Sequence, residues 1–456
     1  MPSGSGISER FLVQVWQQLP ARADLMTERG EPMRLIYPGR ENDDQGADLR
    51  DAVILSVQGL LKGDIEFHRR SSDWKKHRHH QNPEYNRTIL HVVMWRDTEP
   101  VTHLQNGKEV PILALHRYLE TTALQQMNSD QVTTDVFTLP CYRVAGSLPI
   151  NRIDEILDAA GRESFLDKAA AFQKELSEDT PQQVLYRGIM SALGYSKNKL
   201  PFEELARRAP LHRLEAMARN NLSDDRRLAQ QQALLLGTAG LLPSQRGALH
   251  HSTVNDRWVE TLESHWSEYD HGHAMPTSIW RLIKVRPNNH PVRRVAGISH
   301  LILRHGKSSL LDEITSLISE VEINQTHFAL AAAMMVMASG YWKTHYDFGC
   351  YSRHIAPALI GSSRATTIAV NVILPFIFTW SRHNARPELA ARSLAIFTAY
   401  PKPGANAIER HMSKQLGRSR VPVDSTQRQQ GLIHIYKKFC TQGKCLVCPL
   451  GMAAKR

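Results

Sequence analysis

The chain has 456 residues, of which 42% are hydrophobic and 22% are charged, and its formal net charge is +11. This composition argues against a wholly disordered protein, and the length predicts two or three domains. The excess of positive charge favours a polyanionic partner such as nucleic acid, although many soluble proteins are equally basic and bind none.

The compartment is predicted from the chain start, the apolar stretches and the cysteines. The first residues, MPSGSGISERF, lack a positively charged segment followed by an apolar one and therefore predict no signal peptide. The longest apolar stretches, at 328–337 and 370–380, are too short to span a bilayer and are typical of buried helices. The five cysteines are odd in number and unevenly spread, unlike a secreted disulfide framework. We therefore expect a cytoplasmic protein without a membrane partner.

The N-terminal third has the pattern of a mixed α/β domain over residues 1–145. A helix is predicted at 7–18 from its apolar face, followed by a loop-rich segment up to about residue 50. Stretches rich in β-branched residues predict strands at 52–57, 60–68, 88–95 and 110–116. Ser71 or Ser72 is typical of an N-cap, so a helix is predicted to begin near Asp73, between the second and third strands.

After about residue 145 the apolar periodicity becomes helical. The prolines that would interrupt these helices are Pro287, Pro291, Pro375, Pro401 and Pro403. We divide the region into a helical domain at 146–275 and a second helical domain at 276–456, with the polar stretch 244–275 as a candidate linker. The predicted fold class is therefore α+β, with an N-terminal mixed α/β core followed by a larger α-helical region.

Blocks of residues spread along nearly the whole chain resemble those of one known family. They lie at 38–42, 46–49, 63–68, 71–74, 85–86, 89–93, 285–291, 293–294, 374–376 and 430–432, with single positions at His77, His79, Asn371, Cys440, Cys445 and Cys448. In this order they resemble the bacterial family called domain of unknown function 2851 (DUF2851). Ala47 stands where members tend to have proline, and His290 where they tend to have phenylalanine. The family has no established activity, so this resemblance by itself implies no function.

Two acidic residues flank neighbouring strand candidates of the N-terminal domain. Asp48 precedes the first strand, and Glu66 lies on the second, two positions before His68. Because alternate residues of a strand share a face, Glu66 and His68 are expected to project together. The two carboxylates then suit one Mg²⁺ ion, whose bound water can attack a phosphodiester. The alternative is structural: Asp48 caps a turn and Glu66 pairs with an arginine.

The same three residues resemble the motif of the restriction-endonuclease-like PD-(D/E)XK superfamily. In that motif an aspartate is followed, after a variable gap, by an acidic residue, any residue and a lysine. The predicted order strand, strand, helix, strand is also similar to the core of the superfamily. The resemblance implies a nuclease-like core in which His68 stands in for the lysine. Lysines that could supply the ammonium group from neighbouring elements are Lys62, Lys75 and Lys76.

A histidine-rich and basic segment follows the second strand. Asp73 and His77 are four residues apart and would share a helix face, where they could bind a metal or orient each other or a substrate. His91, within an apolar strand, is predicted to be buried and hydrogen-bonded. Basic residues of the segment would suit a phosphate backbone, or could equally form a solvated helix face. They are Arg69, Arg70, Lys75, Lys76 and Arg78.

Three cysteines near the C-terminus, Cys440, Cys445 and Cys448, have the spacing Cys-x4-Cys-x2-Cys. Two residues between cysteines allow both sulfurs to reach one metal centre, so the spacing predicts a zinc or iron–sulfur site. The segment is partly similar to the cluster loop of endonuclease-III-like DNA glycosylases, which has four cysteines. Cys350 or His434 is the predicted fourth ligand. The alternatives are a hydrophobic knot of reduced thiols and a redox pair.

These features together favour a metal-dependent nuclease-like protein that acts on the phosphodiester bonds of DNA or RNA. In this hypothesis Asp48 and Glu66 hold Mg²⁺, His68 replaces the lysine, and Asp73 and His77 orient the substrate or the ligands. Two other classes of protein remain open. One is a nucleic-acid-binding protein without catalysis, and the other is a helical interaction scaffold with a structural metal site.

Overall fold

A computed structural model of the protein describes residues 8–19, 23–118, 141, 148–247, 256–269, 274–283, 285–306, 308–416 and 423–453. The chain forms two compact units. The sheet unit comprises residues 1–163, 405–423 and 428–456, and the helical unit comprises residues 164–404 and 424–427. A mixed sheet near the N-terminus and a mostly helical remainder confirm the predicted α+β class. The division into three domains stays a prediction.

The described residues of the sheet unit contain an eight-stranded mixed sheet. Its strands are β1 (Asp24–Met26), β2 (Pro32–Tyr37), β3 (Arg40–Glu41), β4 (Leu49–Ser56), β5 (Gly59–Arg70), β6 (Thr88–Trp95), β7 (Val101–His103) and β8 (Glu109–Ala114). The strand order is β1-β2-β4-β5-β6-β8-β7, and β3 pairs with β4. β6 runs parallel to both β5 and β8, whereas the other pairs are antiparallel.

Four strands of the sheet match the predicted ones, because their sequences are apolar and rich in β-branched residues. In β6 every residue from Thr88 to Met94 is buried, as expected of a strand that is covered on both faces. The strands β1, β2, β3 and β7 were not predicted from the sequence. In β2 the alternation of exposed and buried residues is short, and it is flanked by Pro38 and Gly39, which are typical of turns.

The described part of the chain also contains helices, two of them before residue 145 and the others in the region after it, where helices were predicted. Numbered along the chain, they are α1 (Glu9–Gln18), α2 (Asp73–Lys76), α3 (Ile150–Leu176), α4 (Pro181–Leu193), α5 (Lys199–Arg208), α6 (Leu211–Ala218), α7 (Asp224–Thr238), α8 (Arg257–Ser267), α9 (Pro291–His305), α10 (Leu310–Glu320), α11 (Ile323–Met334), α12 (Ser362–Ile368), α13 (Leu374–His383), α14 (Pro387–Ala399), α15 (Ala407–Gln415), α16 (Thr426–Lys438) and α17 (Pro449–Ala453). Short strand pairs interrupt them at β9 (Val336–Met337), β10 (His345–Asp347), β11 (Cys350–Tyr351) and β12 (Ala358–Ile360).

The sheet of the sheet unit is packed on both faces. On one face Trp16 of α1 meets Phe67 of β5 with ring centroids 6.1 Å apart. On the other face Val53 of β4 packs with apolar residues of α16 and of the first part of α3. Gly431 of α16 lies so close to Leu157 that a Cβ would come within 2.1 Å of its carbonyl oxygen. The C-terminal segment therefore belongs to the fold that carries the N-terminal strands.

The helical unit has a hydrophobic core of its own, to which α4, α7, α9 and α13 contribute. The stretch 244–275, predicted as a linker, contains α8, whose Val259, Leu262 and Trp266 are buried in this core. The prediction of a linker is therefore wrong for α8, because an apolar face recurs at helical spacing within a polar sequence. Residues 248–255 and 270–273 of that stretch lie outside the described residues.

One helical stretch of this unit, Ser362–His383, is long and apolar enough to cross a membrane by length and composition alone. It is mostly buried in the helical unit, which accounts for its apolar surface. The predicted break at Pro375 is wrong, because the helix continues through a π-helical turn at Ala369–Ile373 directly before it. A wider turn accommodates a proline, which cannot donate an N–H bond inside a regular helix.

Candidate functional site

Asp48 and Glu66 lie side by side because β4 and β5 pair antiparallel. The register aligns Leu49 with Ile65, which brings the residue before β4 next to the residue after Ile65. The backbone N–H of Asp48 donates to Glu66 Oε2 at 3.0 Å, and the backbone N–H of Phe67 donates to Asp48 Oδ2 at 3.0 Å. Each backbone N–H therefore fixes the orientation of the carboxylate on the neighbouring strand. We call the two carboxylates, Asp48 and Glu66, the carboxylate clamp.

Both carboxylates are in a setting that disfavours negative charge. Glu66 is buried and Asp48 is half-buried. Loss of hydration raises the pKa of Asp48 to about 7, with a further contribution from Glu66, and raises the pKa of Glu66 to about 8. Within the described residues, neither carboxylate is ion-paired with a lysine or arginine. Among the described residues, therefore, no arginine pairs with Glu66, and Asp48 accepts from the neighbouring strand instead of capping a turn.

Two imidazoles approach the other oxygen of the Glu66 carboxylate. His79 Nε2 lies 3.2 Å from Glu66 Oε1, and His68 Nε2 lies 3.7 Å from the same oxygen. His68 Nε2 is also 3.1 Å from His77 Nδ1. One ring nitrogen each of His68, His77 and His79 lies within 4.8 Å of the other two. We call these three residues the histidine cluster; β5 places the first of them and the crossover to β6 places the others.

The crossover folds back over β5 because its residues are anchored and turned. Trp74 of α2 is buried, and its indole N–H donates to the carbonyl oxygen of His103 at 3.2 Å. Arg78 adopts the left-handed conformation, with φ of 61°, and so reverses the chain directly before His79. The ring of Tyr85 then stacks on His79 with centroids 3.9 Å apart. These contacts hold the second half of the histidine cluster against the sheet.

His68 is a neutral imidazole in this environment. Burial, together with the neighbouring rings of His91, His79 and His77, lowers the pKa of His68 to about 2. Burial lowers the pKa of His91 to about 3. His68 Nδ1 lies 2.9 Å from His91 Nε2, and His91 Nδ1 lies 2.7 Å from Thr102 Oγ1. A neutral ring cannot supply the positive charge of the motif lysine. His68 lies beside Glu66, as expected of the residue in the lysine position, and leaves the positive charge of that lysine to another group.

Sequence reasoning missed Glu9 as a residue of this site. Burial raises the pKa of Glu9, and the other charges that act on it include His77, Asp73 and His79. Glu9 in turn raises the pKa of Asp48. It stands in the first turn of α1 directly after the N-cap Ser8, a position where an acidic residue is ordinary in any helix. No local pattern marks it as part of a site, and its signal comes only from the packing of α1.

The predicted pair of Asp73 and His77 forms no direct side-chain hydrogen bond. The Asp73 carboxylate accepts the backbone N–H of Arg70 at 3.2 Å, and Lys76 Nζ lies 3.8 Å from it. The backbone carbonyl of Asp73, rather than its side chain, accepts the N–H of His77 at 2.8 Å. Of the predicted basic residues Arg69 is half-buried, and those that are exposed are Arg70, Lys75, Lys76 and Arg78. These four residues are close to His77 and His79 in the sequence, and we call them the positively charged rim.

The three C-terminal cysteines lie together, but with a different neighbour from the one predicted. Burial raises the pKa of Cys440 well above its usual range, and the thiols of Cys141, Cys445 and Cys448 add to this effect. Cys350 instead lies in the helical unit. His434, the other predicted fourth ligand, has Nε2 3.4 Å from Glu163 Oε1. The structure therefore places Cys141, which sequence reasoning did not predict, beside Cys440.

The raised pKa of Glu66 predicts how the metal-free protein responds to pH. Between the ordinary pKa of 4.5 and about 8, the folded state keeps a proton on Glu66 that the unfolded state has lost. This contribution therefore lowers stability as pH rises through that range. We expect Glu66→Gln to be more stable than the wild type by about 1–3 kcal/mol at pH near 8.5, and nearly equal to it near pH 5.

Thermal unfolding in the presence of a chelator, at both pH values, measures this difference. Comparison of variant and wild type isolates Glu66 from His68 and His91, whose lowered pKa values act in the opposite direction. Glu109→Gln, at an exposed carboxylate of the same sheet, is the control. A variant that is equally destabilised at both pH values would contradict the prediction.

Comparison with known proteins gives a family and no function. Residues 9–405 match the family model described as "Protein of unknown function (DUF2851)". No curated protein and no solved structure matches the chain.

Proposed function

The chain belongs to the DUF2851 family of proteins of unknown function, and from its site we propose that it is a metal-dependent hydrolase of phosphodiester bonds in DNA or RNA. The observation that carries the proposal is the carboxylate clamp. Asp48 and Glu66 are brought together by strand pairing, withdrawn from water and given no lysine or arginine partner among the described residues. Such carboxylates are suited to a divalent cation, which supplies the missing positive charge.

The residues of the site have separate roles in this proposal. Asp48 and Glu66 would hold the cation, and their oxygen ligands alone suit Mg²⁺. A bound divalent cation lowers the pKa of water and polarises a phosphoryl oxygen. Burial lowers the pKa of His79, so a neutral imidazole lies beside Glu66 at the edge of the site. His77 is exposed, so the histidine cluster is accessible from solvent.

The arrangement of strands also supports the proposal. β4 and β5 form an antiparallel pair that carries both carboxylates, and a short helical crossover leads to β6, which is parallel to β5. This order is consistent with the restriction-endonuclease-like core that the sequence resembles. In this proposal the positively charged rim, formed by Arg70, Lys75, Lys76 and Arg78, would bind the phosphate backbone of the substrate.

The direct test is cleavage by protein freed of metal with a chelator and then supplied with Mg²⁺, Mn²⁺ or Zn²⁺. Labelled single- and double-stranded DNA and RNA serve as substrates, and the products are separated by size. We expect cleavage that requires an added ion and stops when the chelator is restored. Binding of these substrates without cleavage under every ion would instead favour a nucleic-acid-binding protein without catalysis. Neither binding nor cleavage would favour the interaction scaffold.

We expect nucleic-acid binding to weaken steeply with salt, because phosphate contacts release condensed counterions. Lys75→Ala with Arg78→Ala removes two exposed charges from the rim and should reduce the slope of log affinity against log salt by about 2. Fluorescence anisotropy with a labelled oligonucleotide at several salt concentrations measures the slope. Arg226→Ala with Arg353→Ala removes two exposed charges from the helical unit and is the matched control. An equal slope in both double variants would exclude the rim as the contact surface.

A further inference from the structure

The donor atoms of the histidine cluster are spaced as ligands of one metal ion. An ion bound tetrahedrally by nitrogen and oxygen at about 2.0–2.1 Å has ligand atoms about 3.3–3.4 Å apart. The separations here are 3.1 Å between His68 Nε2 and His77 Nδ1, 3.2 Å between His79 Nε2 and Glu66 Oε1, and 3.7 Å between His68 Nε2 and Glu66 Oε1. These three separations bracket the tetrahedral value, and the three imidazole nitrogens lie within 4.8 Å of one another, so the ligands must close in to bind one ion.

The imidazole of His68 is also oriented as a metal ligand. With the ring protons on His68 Nδ1 and His91 Nδ1, His68 donates to His91 Nε2 at 2.9 Å and His91 donates to Thr102 Oγ1 at 2.7 Å. The lone pair of His68 Nε2 then faces His77 and Glu66. All three residues of this relay are buried, so the ring cannot rotate without the loss of both hydrogen bonds. A hydrogen bond to the second nitrogen is how proteins orient metal-binding histidines.

We propose that His68, His77, His79 and Glu66 form a binding site for a divalent transition metal, with zinc as the ion that fits best. Three imidazole nitrogens and one carboxylate oxygen suit zinc and its neighbours, whereas Mg²⁺ requires oxygen ligands. The claim that zinc is the ion used in hydrolysis rests on the proposed function. As a binding site it rests on the geometry of the histidine cluster alone.

The test counts zinc on the protein in the presence of excess Mg²⁺. Wild type, His77→Ala and His79→Gln are stripped with a chelator, equilibrated with zinc, dialysed and measured by elemental analysis. We expect each variant to hold one zinc per chain less than the wild type; zinc bound elsewhere cancels in this difference. His77 is exposed, so its replacement leaves the fold intact, and His103→Ala, at an exposed histidine of β7, is the control. Thr102→Val should weaken zinc binding about 10- to 100-fold by loosening His68.

The outcomes separate this inference from the proposed function. Equal zinc counts in the wild type and both histidine variants would overturn the zinc site. If Mg²⁺ alone supports cleavage, and His77→Ala and His79→Gln cleave at the wild-type rate, zinc is not the working ion, but the proposed hydrolysis stands. If zinc binds with the expected stoichiometry but no substrate is cleaved, the zinc site is confirmed and the proposed hydrolysis is wrong.

A second cluster of potential metal ligands consists of the C-terminal Cys440, Cys445 and Cys448 together with Cys141. Cys440 and Cys448 are buried in the apolar cluster that contains Tyr436 and Leu450, and Cys141 packs against the same cluster. Gly443, with φ of 68°, lets the chain turn between Cys440 and Cys445. The structure forms no disulfide among these cysteines. Thiols from distant parts of the chain here have the composition of a four-thiolate metal centre, but among the described residues no three of their sulfurs lie within 4.8 Å of one another, so ligation of a single ion would draw them closer.

We infer that Cys141 is the fourth ligand of a metal centre completed by Cys440, Cys445 and Cys448. Burial raises the pKa of the Cys448 thiol, and the backbone N–H groups of Gly451 and Leu450, which bond to it, oppose that rise. Four thiolates satisfy a structural zinc ion or an iron–sulfur cluster. The centre would tie Cys141 to the cysteines of the C-terminal segment, so its loss should destabilise the sheet unit.

Anaerobic purification with elemental analysis and an absorbance spectrum tests this inference. We expect iron with inorganic sulfide and visible absorbance, or colourless zinc, and in either case loss of the metal from Cys141→Ser but not from Cys350→Ser. The Cys350 variant is the matched control, because that thiol lies in the helical unit. Full metal content in Cys141→Ser, or native protein whose four thiols all titrate without bound metal, would overturn it.

Discussion

Replacement of Asp48 by asparagine or of Glu66 by glutamine is expected to slow metal-dependent phosphodiester cleavage by at least about 1,000-fold. Both replacements keep an oxygen that can accept the backbone N–H of the carboxylate clamp. They remove the negative charge that would hold a divalent cation in a buried site. The loss should therefore come from the cation and its water, with little change in the fold.

Initial cleavage rates under saturating metal, together with circular dichroism, measure both parts of this expectation. Glu109→Gln makes the same chemical change at an exposed carboxylate of β8, which pairs with Arg29, and should leave the rate unchanged. Raising the metal concentration should restore little activity, because the ligand charge itself is missing. Variants of Asp48 and Glu66 that cleave at the wild-type rate would remove the carboxylate clamp from the reaction.

The second large effect is expected in the helical unit, at Arg293. This side chain is fully buried, and its guanidinium donates to the carbonyl oxygens of Trp342, His345 and Ala356. Burial lowers the pKa of Arg293 to about 10, so the group remains charged at neutral pH. Arg293→Ala leaves three carbonyl oxygens without their donor and opens a cavity. We expect it to lower the free energy of unfolding by about 3–5 kcal/mol.

Denaturant unfolding followed by circular dichroism provides the measurement. Arg304→Ala is the matched control, because Arg304 also stands on α9 and donates to the carbonyl oxygen of Met335 at 2.9 Å, but is exposed. Water can replace that donor, so the control should cost less than about 1 kcal/mol. Arg293→Lys should fall between the two, since an ammonium group reaches fewer of the three oxygens. Equal stability of Arg293→Ala and Arg304→Ala would contradict the assigned role.

Several parts of the candidate site could be predicted from the sequence because they depend on neighbours along the chain. The alternation of residues in β5 puts Glu66 and His68 on one face whatever the rest of the protein does. Long apolar strands such as β6, and the helices after residue 145, follow from periodicity in the same way. The ordered blocks along the chain were likewise enough to recognise the family.

Other parts were decided only by tertiary structure, because they depend on residues far apart in the sequence. Glu9 reaches the site through the packing of α1, and Cys141 joins the C-terminal cysteines through a core assembled from both ends of the chain. The neutral state of His68 follows from burial beside His91, which no local pattern encodes. Local periodicity sets the direction of a side chain, whereas burial and neighbouring charges set its chemistry, and these arise only when distant segments pack together.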